Sequence, residues 1–299
     1  MTTLNVSHYL YFLRHNLESR LLGRRNPLLA GFKLTDRCNL RCRACPFWKR
    51  TGQDMPLAQV NDVLDRLYRA GVRLLILEGG EPFLWRDGDH RLEDVVASAR
   101  GRFFCTGIVT NGLLPIETQA DIVWVSLDGL RESHNSNRGP TFDRVVANIQ
   151  ASGHPKIFAN VTINKLNWRD MPDLVKFLAD KVKGITIQFY YPYEGTDDLL
   201  LPLPKRRQVL DQLIELKREG YPIADSVSTL QALRDNRWRC FSWLISSVEP
   251  DGQVTFGCYL KNRAAVHCEQ CGFAAHTEIS MAYNWNLATL QVARTVFGF

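Results

Sequence analysis

Residues 31–46 read Gly-Phe-Lys-Leu-Thr-Asp-Arg-Cys-Asn-Leu-Arg-Cys-Arg-Ala-Cys-Pro, a short strand pattern followed by Cys38, Cys42 and Cys45. Three residues separate the first two cysteines and two separate the last two. A [4Fe-4S] cluster normally takes four thiolates, so a compact group of three with no near fourth leaves one iron open for a small ligand. A zinc ion completed by an outside histidine, or a disulfide, is also compatible with this spacing.

The composition sets the broad class of the protein. With 299 residues, 45% of them hydrophobic, the chain can form one α/β barrel and a small appendix. The net charge of +6 comes from basic residues mixed with acidic ones, which argues against a nucleic-acid partner. Eight cysteines without a secretory signal pattern indicate a reducing compartment, so we expect a cytoplasmic protein. No apolar run approaches the ~18 residues that a membrane-spanning helix requires.

Short β-rich runs alternate with helical patterns after residue 28, which is the order expected of βα units. Strands are predicted at 31–35, 73–77, 103–109, 122–127, 156–163 and 185–190. Helices are predicted at 57–70, 91–99, 141–151, 170–182 and 204–219. The sequence therefore predicts an α/β fold, a partial (β/α)6 barrel of the TIM type.

Polar motifs follow several of the predicted strands. The run Glu78-Gly79-Gly80-Glu81-Pro82 follows the second strand, Asn111 follows the third, and Ser126 and Asp128 close the fourth. Because the carboxyl ends of the strands converge at the mouth of a parallel barrel, we expect these side chains to meet the three cysteines there. Each of these polar residues is also a common turn or capping residue, which is the structural alternative to a ligand contact.

The cysteine spacing combined with Gly79-Gly80-Glu81-Pro82 resembles the radical S-adenosylmethionine (SAM) superfamily. The resemblance covers nearly the whole chain after residue 28. It implies that the three cysteines hold a [4Fe-4S] cluster whose free iron is chelated by the amino and carboxylate groups of SAM. It also implies that the two glycines let backbone carbonyls approach the SAM ammonium, and that Glu81 fixes this loop or the ammonium.

Residues at later strand ends complete the SAM site that the resemblance implies. Asn111, Ser126 and Asp128 would contact the ribose hydroxyls and the methionyl part of SAM. Arg138, which follows the Ser-Leu-Asp-Gly segment, would pair with the SAM carboxylate.

One position departs from the family pattern. The residue before the third cysteine is usually aromatic and packs on adenine, and here it is Ala44. Phe47 or Trp48 would have to replace that contact. The cluster assignment does not depend on this position, because Ala44 supplies no thiolate.

Four further cysteines stand beyond residue 235, where the βα alternation stops: Cys240, Cys258, Cys268 and Cys271. Residues 247–257 have a hairpin pattern with Asp251-Gly252 at the turn. The arrangement resembles the twitch domain, a short form of the SPASM extension, which implies an auxiliary [4Fe-4S] cluster with four thiolates. A zinc ribbon is the alternative, although Cys240 and Cys258 lack the close spacing of a zinc knuckle.

These patterns predict three parts of the chain: an N-terminal amphipathic helix at 1–27, a radical SAM partial barrel at 28–235, and a small C-terminal iron-sulfur extension at 236–299. The remaining cysteine, Cys105, is expected to be a buried thiol on the third strand.

The predicted N-terminal helix, residues 8–25, has Leu10, Leu13, Leu17 and Leu21 on one side and arginines elsewhere. We expect it to dock these leucines on the barrel. The alternative is peripheral contact with a membrane surface, or admission of a lipid substrate.

The resemblance also implies a reaction, in which an electron passed into the SAM sulfonium releases a 5′-deoxyadenosyl radical that abstracts hydrogen or adds to a double bond. We expect a small-molecule or lipid substrate, because the tail also resembles hopanoid-modifying radical SAM enzymes and no peptide-recognition domain precedes the first strand. Peptide modification is the second hypothesis. A non-catalytic zinc- or iron-sulfur-binding module is the alternative of another class. A ferredoxin or flavodoxin would donate the electron.

Overall fold

The fold is built on one mixed sheet, seen in a computed structural model that describes residues 6–50, 52–193 and 195–298. The strands of this sheet are β1 (Leu29–Lys33), β2 (Leu74–Glu78), β5 (Cys105–Thr110), β6 (Ile122–Ser126), β7 (Ile157–Ile163), β8 (Gly184–Phe189), β9 (Ile245–Val248) and β10 (Val254–Phe256). Their order is β10-β9-β1-β2-β5-β6-β7-β8, and every neighbouring pair is parallel except β9 and β10. A small antiparallel ribbon is formed by β3 (Arg86–Asp87) and β4 (His90–Arg91).

Helices follow most of the strands, and those that directly connect the parallel strands cover the outer face of the sheet. They are α1 (Val6–Leu21), α2 (Leu57–Ala70), α3 (Leu92–Ala99), α4 (Arg131–Arg138), α5 (Phe142–Ala151), α6 (Met171–Leu178), α7 (Leu203–Arg218), α8 (Val227–Asp235), α9 (Ala274–Tyr283) and α10 (Leu287–Phe297). The strands and helices predicted for the partial barrel are confirmed, with ends that differ by a few residues. The short helix α4 and the helices after α7 lie outside the predicted pattern.

Successive residues of β1 face opposite sides of the sheet. Ala30 and Phe32 are fully buried with apolar residues of α2 and α3 on the outer face. Gly31 and Lys33 therefore point to the opposite, inner face. At the amino ends of the strands this inner face is closed by α10, whose Val296 is buried in one cluster with Trp124. The carboxyl ends are left for the polar motifs.

The helix α1 corresponds to the helix predicted at 8–25, but it docks through the face opposite to the one expected. His15 and Asn16 are its buried residues, and they hydrogen-bond to the carbonyl oxygens of Asn26 and Tyr283, each at 2.8 Å. The expectation that the leucines dock on the barrel was wrong, because α1 packs through its aromatic residues Tyr11 and Phe12 and through the hydrogen bonds of His15 and Asn16. The leucine face consists of five exposed residues, Val6, Leu10, Leu13, Leu17 and Leu21.

The predicted hairpin at 247–257 is formed by β9 and β10, and it extends the barrel sheet. β9 pairs in parallel with β1, with Leu29 opposite Ile245. Gly252 in the connecting turn has a φ of +86°, a left-handed conformation that glycine adopts without steric cost. Within the described parts of the chain, no helix combines the length and apolar character needed to cross a membrane.

Candidate active site

The cysteine loop, residues 36–46, leaves the carboxyl end of β1 and reaches α4. Its far side is fixed by Asn137, whose carbonyl oxygen accepts from the Arg43 amide at 2.8 Å and whose Oδ1 accepts from the Ala44 amide at 3.0 Å. Cys42 is buried and Cys38 and Cys45 are half-buried, and all three thiols are free. The loop therefore presents three unbridged sulfurs at the mouth of the barrel.

The triad has the donor set that a [4Fe-4S] cluster requires. Burial raises the pKa of Cys38 and raises that of Cys42 to about 11, and the thiols interact electrostatically with one another. A bound cationic cluster displaces such thiol protons. No three His, Cys, Asp or Glu side chains of the described residues stand close enough to hold a single metal ion. The fit to a cluster rests on three free, mutually interacting thiols on one loop.

The two glycines after β2 lie directly against the backbone that leads into the cysteine loop. The amide of Gly80 donates to the Thr35 carbonyl at 2.7 Å, and the amide of Glu81 donates to the Arg37 carbonyl at 2.8 Å. A Cβ on Gly79 would lie 2.6 Å from the Thr35 oxygen, and one on Gly80 would lie 2.2 Å from the Arg37 oxygen. Glycine is required here because the two backbones pair too closely for any side chain.

The Glu81 carboxylate joins the end of β2 to the end of β5. It is fully buried, and it accepts hydrogen bonds from Thr110 Oγ1 at 2.8 Å, the Asn111 amide at 2.7 Å and the Phe83 amide at 3.2 Å. Burial raises the pKa of Glu81 to about 7, although these three hydrogen bonds oppose the shift. The contacts of Glu81 fix the loop that carries the two glycines.

Asn111 connects β5 to the first cysteine. Its Nδ2 donates to Asn39 Oδ1 at 2.7 Å and lies 3.9 Å from the Cys38 sulfur. Its Oδ1 accepts from the Leu113 amide at 3.0 Å. The side chain of Asn111 is thereby oriented toward the start of the cysteine loop.

Asp128 and Arg138 form a buried ion pair beside the second cysteine. Asp128 Oδ2 accepts from Arg138 Nε at 2.6 Å and from Asn137 Nδ2 at 2.9 Å, while Oδ1 accepts from the Thr162 amide at 3.1 Å. Burial alone would raise the pKa of Asp128, but the charge and hydrogen bonds of Arg138 lower it below its usual range. A terminal nitrogen of Arg138 lies 4.0 Å from the Cys42 sulfur. Asp128 thus holds a permanent positive charge next to the triad.

The other predicted residues lie around the same mouth. Ser126 is buried at the end of β6, opposite Asn160 of β7. Trp48 Nε1 donates to the Cys42 carbonyl at 3.1 Å, and the Phe47 ring packs 5.6 Å from the Tyr193 ring. Both aromatic residues that follow Ala44 therefore remain close to the cysteine loop.

Comparison with known proteins agrees with this arrangement. Residues 32–178 match the family model of the radical SAM superfamily. Residues 32–178 form a radical SAM domain. Fe-coproporphyrin III synthase of Methanosarcina barkeri is 31% identical over 216 residues, which cover 64% of this chain and 53% of that protein. The antilisterial bacteriocin subtilosin biosynthesis protein AlbA of Bacillus subtilis is 30% identical over 189 residues, covering 58% of this chain and 40% of that protein.

Structural comparison places the fold among radical SAM proteins. The SAM-bound crystal structure of Streptococcus suis SuiB has a TM-score of 0.66 at 15% identity, and the match covers 100% of this chain and 73% of that chain. This likeness shows the fold. The chain spans about half the length of the curated relatives it matches, or less.

The four tail cysteines of this radical SAM protein lie within electrostatic range of one another. Burial raises the pKa of Cys240 to about 12, and electrostatic interaction with Cys271, Cys258 and Cys268 adds to the shift. All four thiols are free, and none is fully buried. Cysteines that lie far apart along the chain thus interact in the fold, although among the described residues no three of them stand close enough to hold a single metal ion.

Buried and polar side chains anchor this group to the radical SAM barrel. Arg206 of α7, whose side chain is buried, donates to the Cys271 carbonyl at 2.8 Å, and Asn236 donates to the Cys268 carbonyl at 2.8 Å. The Phe189 amide at the end of β8 donates to the Gly272 carbonyl at 2.9 Å. A Cβ on Gly272 would lie 2.4 Å from the Phe189 Cβ, so this close approach requires glycine.

A second group of polar side chains lies inside the radical SAM barrel, and it was not predicted from the sequence. Lys33 Nζ donates to Glu78 Oε1 and to the Tyr259 hydroxyl, each at 2.7 Å, and the Arg263 guanidinium stacks 4.0 Å from the Tyr259 ring. The available signal was a lysine at an inner-face position of a strand predicted to be buried. Asn137 was missed as well, since nothing in the sequence shows that its amide clamps the cysteine loop.

Proposed function

We propose that this radical SAM enzyme cleaves SAM reductively and uses the resulting 5′-deoxyadenosyl radical to modify a small-molecule or lipid substrate. The observation that carries the proposal is the convergence of the cysteine triad with the buried pair of Asp128 and Arg138 at one end of the sheet. A [4Fe-4S] cluster on Cys38, Cys42 and Cys45 would supply the electron that breaks the bond between the SAM sulfur and C5′.

The surrounding residues would bind and orient SAM. Arg138 uses its Nε on Asp128, which leaves its terminal nitrogens beside Cys42 for the SAM carboxylate. The carbonyls of Gly79 and Gly80 would accept from the SAM ammonium. Asn111, Ser126 and Asp128 would line the ribose and methionyl positions, which agrees with their burial at neighbouring strand ends.

The tail, residues 236–299, would hold the auxiliary [4Fe-4S] cluster. The proximity of Cys240, Cys258, Cys268 and Cys271 supports this role, because four thiolates complete the ligand set of such a cluster. A fully ligated cluster serves electron transfer or structure rather than substrate chelation. The external electron donor would be a ferredoxin or a flavodoxin.

The leucine face of α1 favours a lipid among the possible substrates. Its residues stand at helical spacing on one exposed side, with Leu10 60% and Leu21 77% exposed. Exposed Arg14, Arg24 and Arg25 lie in and just after the same helix. An exposed apolar stripe flanked by basic residues suits the surface of an anionic membrane. We propose that α1 contacts such a surface, from which the barrel would take its substrate.

Peptide modification is the second candidate. It is favoured by the match to AlbA, a protein of subtilosin biosynthesis. The match covers 40% of AlbA. It therefore concerns the radical SAM barrel and gives little information on the rest of AlbA.

The experiment for the proposed function is anaerobic reconstitution with iron and sulfide, followed by reductant and SAM, with 5′-deoxyadenosine measured by mass spectrometry. We expect release of 5′-deoxyadenosine by the wild type and by Cys105→Ala, in which a buried thiol on β5 is removed. Cys42→Ala should abolish release. Full activity of Cys42→Ala, or stoichiometric zinc without iron in the wild type, would overturn the proposal in favour of another mechanism or a metal-binding module.

The substrate class is tested separately. Lipid and metabolite profiles of wild-type and deletion cells should differ in a lipid or a small molecule. A difference confined to a peptide would assign the protein to the second candidate.

A further inference from the structure

Arg263 has a buried guanidinium group of which only one nitrogen is hydrogen-bonded to the described part of the protein. The residue follows the β9–β10 hairpin, and its side chain is 1% exposed. Its Nε donates to Glu249, while its two terminal nitrogens are buried without a hydrogen-bond partner among the described residues. Glu78 Oε1 lies 4.0 Å from the first of these nitrogens, beyond hydrogen-bond distance.

The side chains next to Arg263 lie on the inner face of the barrel. Lys33 of β1, 2% exposed, is opposite Glu78 of β2 in the strand register and is bonded to it. Tyr259 accepts from the same Lys33 ammonium and lies under the Arg263 guanidinium. A Cβ on Gly31 would lie 3.1 Å from Glu78 Oε1, so the glycine in β1 leaves room for this group.

The carboxylates near Arg263 already have other partners. Glu78 accepts from Lys33 at 2.7 Å, and Glu249 accepts from Arg50 as well as from Arg263 Nε. A buried cationic donor without an acceptor is costly, and arginine stays charged under all ordinary conditions. The protein therefore holds several N–H donors in place for acceptors that its own side chains do not supply.

The position of this group connects it with the proposed radical site. Lys33 Nζ lies 4.8 Å from the centre of the Phe47 ring, and Phe47 stands two residues after Cys45. Tyr259 is close enough to Cys45 to interact with it electrostatically. A ligand held by Arg263 would lie between the cysteine loop and the tail.

We propose that the terminal nitrogens of Arg263, with Lys33 beside them, bind a carboxylate or phosphate group of the substrate. A planar guanidinium fork matches two oxygens of such a group, and the buried setting strengthens the interaction. The assignment rests on the proposed function, since it names the chemical class of that reaction's substrate. The same chemistry is present in the carboxylate of SAM, and the test separates these two sources.

The probe is inorganic phosphate, added to the reconstituted protein at constant ionic strength while thermal unfolding is followed by circular dichroism. Phosphate also stabilises proteins by exclusion from their surface, so the readout is the difference between variants. At a concentration ten times the dissociation constant, the wild-type midpoint should rise about 3 °C more than that of Arg263→Gln. Lys261→Gln removes an exposed charge from the same segment and should respond like the wild type.

Two results would overturn the site: an undiminished response in Arg263→Gln, or an equal loss in Lys261→Gln. If Arg263→Gln shows no cooperative unfolding, Arg263→Lys takes its place in the test. This variant keeps the positive charge but lacks the planar pair of terminal nitrogens. Its phosphate affinity, measured by calorimetry, should fall at least about threefold, and wild-type affinity would overturn the proposal.

Binding of SAM to Arg263→Gln identifies the source of the anion. A dissociation constant for SAM within about twofold of the wild type supports a substrate anion, whereas a loss of about tenfold would assign the site to the SAM carboxylate and overturn the substrate assignment. Phosphate binding needs no turnover. A wild-type protein that binds phosphate through Arg263 but releases no 5′-deoxyadenosine would refute the proposed radical reaction and leave the anion site standing.

Discussion

Asp128→Asn tests whether the buried pair with Arg138 organises the mouth of the barrel. The substitution keeps the shape of the side chain but removes its charge, and it places an amide group where Asp128 now accepts from Arg138, Asn137 and the Thr162 amide. Removing one partner of a buried ion pair costs about 3–5 kcal/mol. Because the Arg138 side chain is 16% exposed and keeps some contact with water, we take the lower end, about 3 kcal/mol.

The assay is thermal unfolding of the anaerobically purified protein. A loss of about 3 kcal/mol corresponds to a midpoint lower by about 5 °C for a chain of 299 residues. The matched control is Asp143→Asn, which breaks the exposed ion pair between Arg131 and Asp143 and should cost less than about 1 kcal/mol. Equal midpoints for the two variants would refute the structural role of Asp128. A destabilised Asp128→Asn that still releases 5′-deoxyadenosine at the wild-type rate would refute the role of Arg138 beside Cys42.

Three further predictions concern other parts of the molecule. The pKa of Glu81 is raised from 4.5 to about 7 by burial, so the folded state keeps a proton that the unfolded state releases. The stability from this group is full below pH 4.5 and falls by about 3 kcal/mol as the pH rises to 7. In urea unfolding from pH 5 to 8, the free energy of unfolding should fall more steeply with pH in the wild type than in Glu81→Gln, and parallel profiles would contradict the prediction. Leu13→Glu should lower binding to vesicles of four parts phosphatidylcholine to one part phosphatidylglycerol at least fivefold. Leu203→Glu, at an exposed leucine of α7, should bind these vesicles like the wild type. Equal binding by both variants would show that α1 does not contact the membrane. Cys271→Ala should reduce bound iron from about eight to about four per chain, while Cys105→Ala should keep about eight; undiminished iron in Cys271→Ala would refute the auxiliary cluster.

The barrel was predictable because its strands and helices carry strong local patterns. Strand β6 is a continuous apolar run, and α2 buries Val60, Val63, Leu64 and Leu67 at helical spacing. The convergence of the polar motifs followed from the parallel order of the strands, since each motif comes directly after one of them.

The contacts within the site could not be predicted in the same way. Glu81 was expected to fix the glycine loop or the SAM ammonium and Asn111 to contact SAM, and the structure shows Glu81 bonded to the Asn111 amide and Asn111 bonded to Asn39. A sequence gives the residue types at a strand end but not the direction of their hydrogen bonds. The predicted orientation of α1 was wrong for a similar reason. The carbonyls of Asn26 and Tyr283, which hydrogen-bond to its polar side chains, are brought next to α1 only by folding.

The pairing of β9 with β1 has a consequence for how the molecule folds. Leu29 and Ile245 are neighbours in the sheet, although most of the chain lies between them. During synthesis, the edge of β1 would stay open until the tail leaves the ribosome, and contacts of such long sequence separation form slowly. An open strand edge is a template for aggregation. Expression at low temperature, or with chaperones, should therefore improve the yield of full-length protein more than it improves shortened forms without β9.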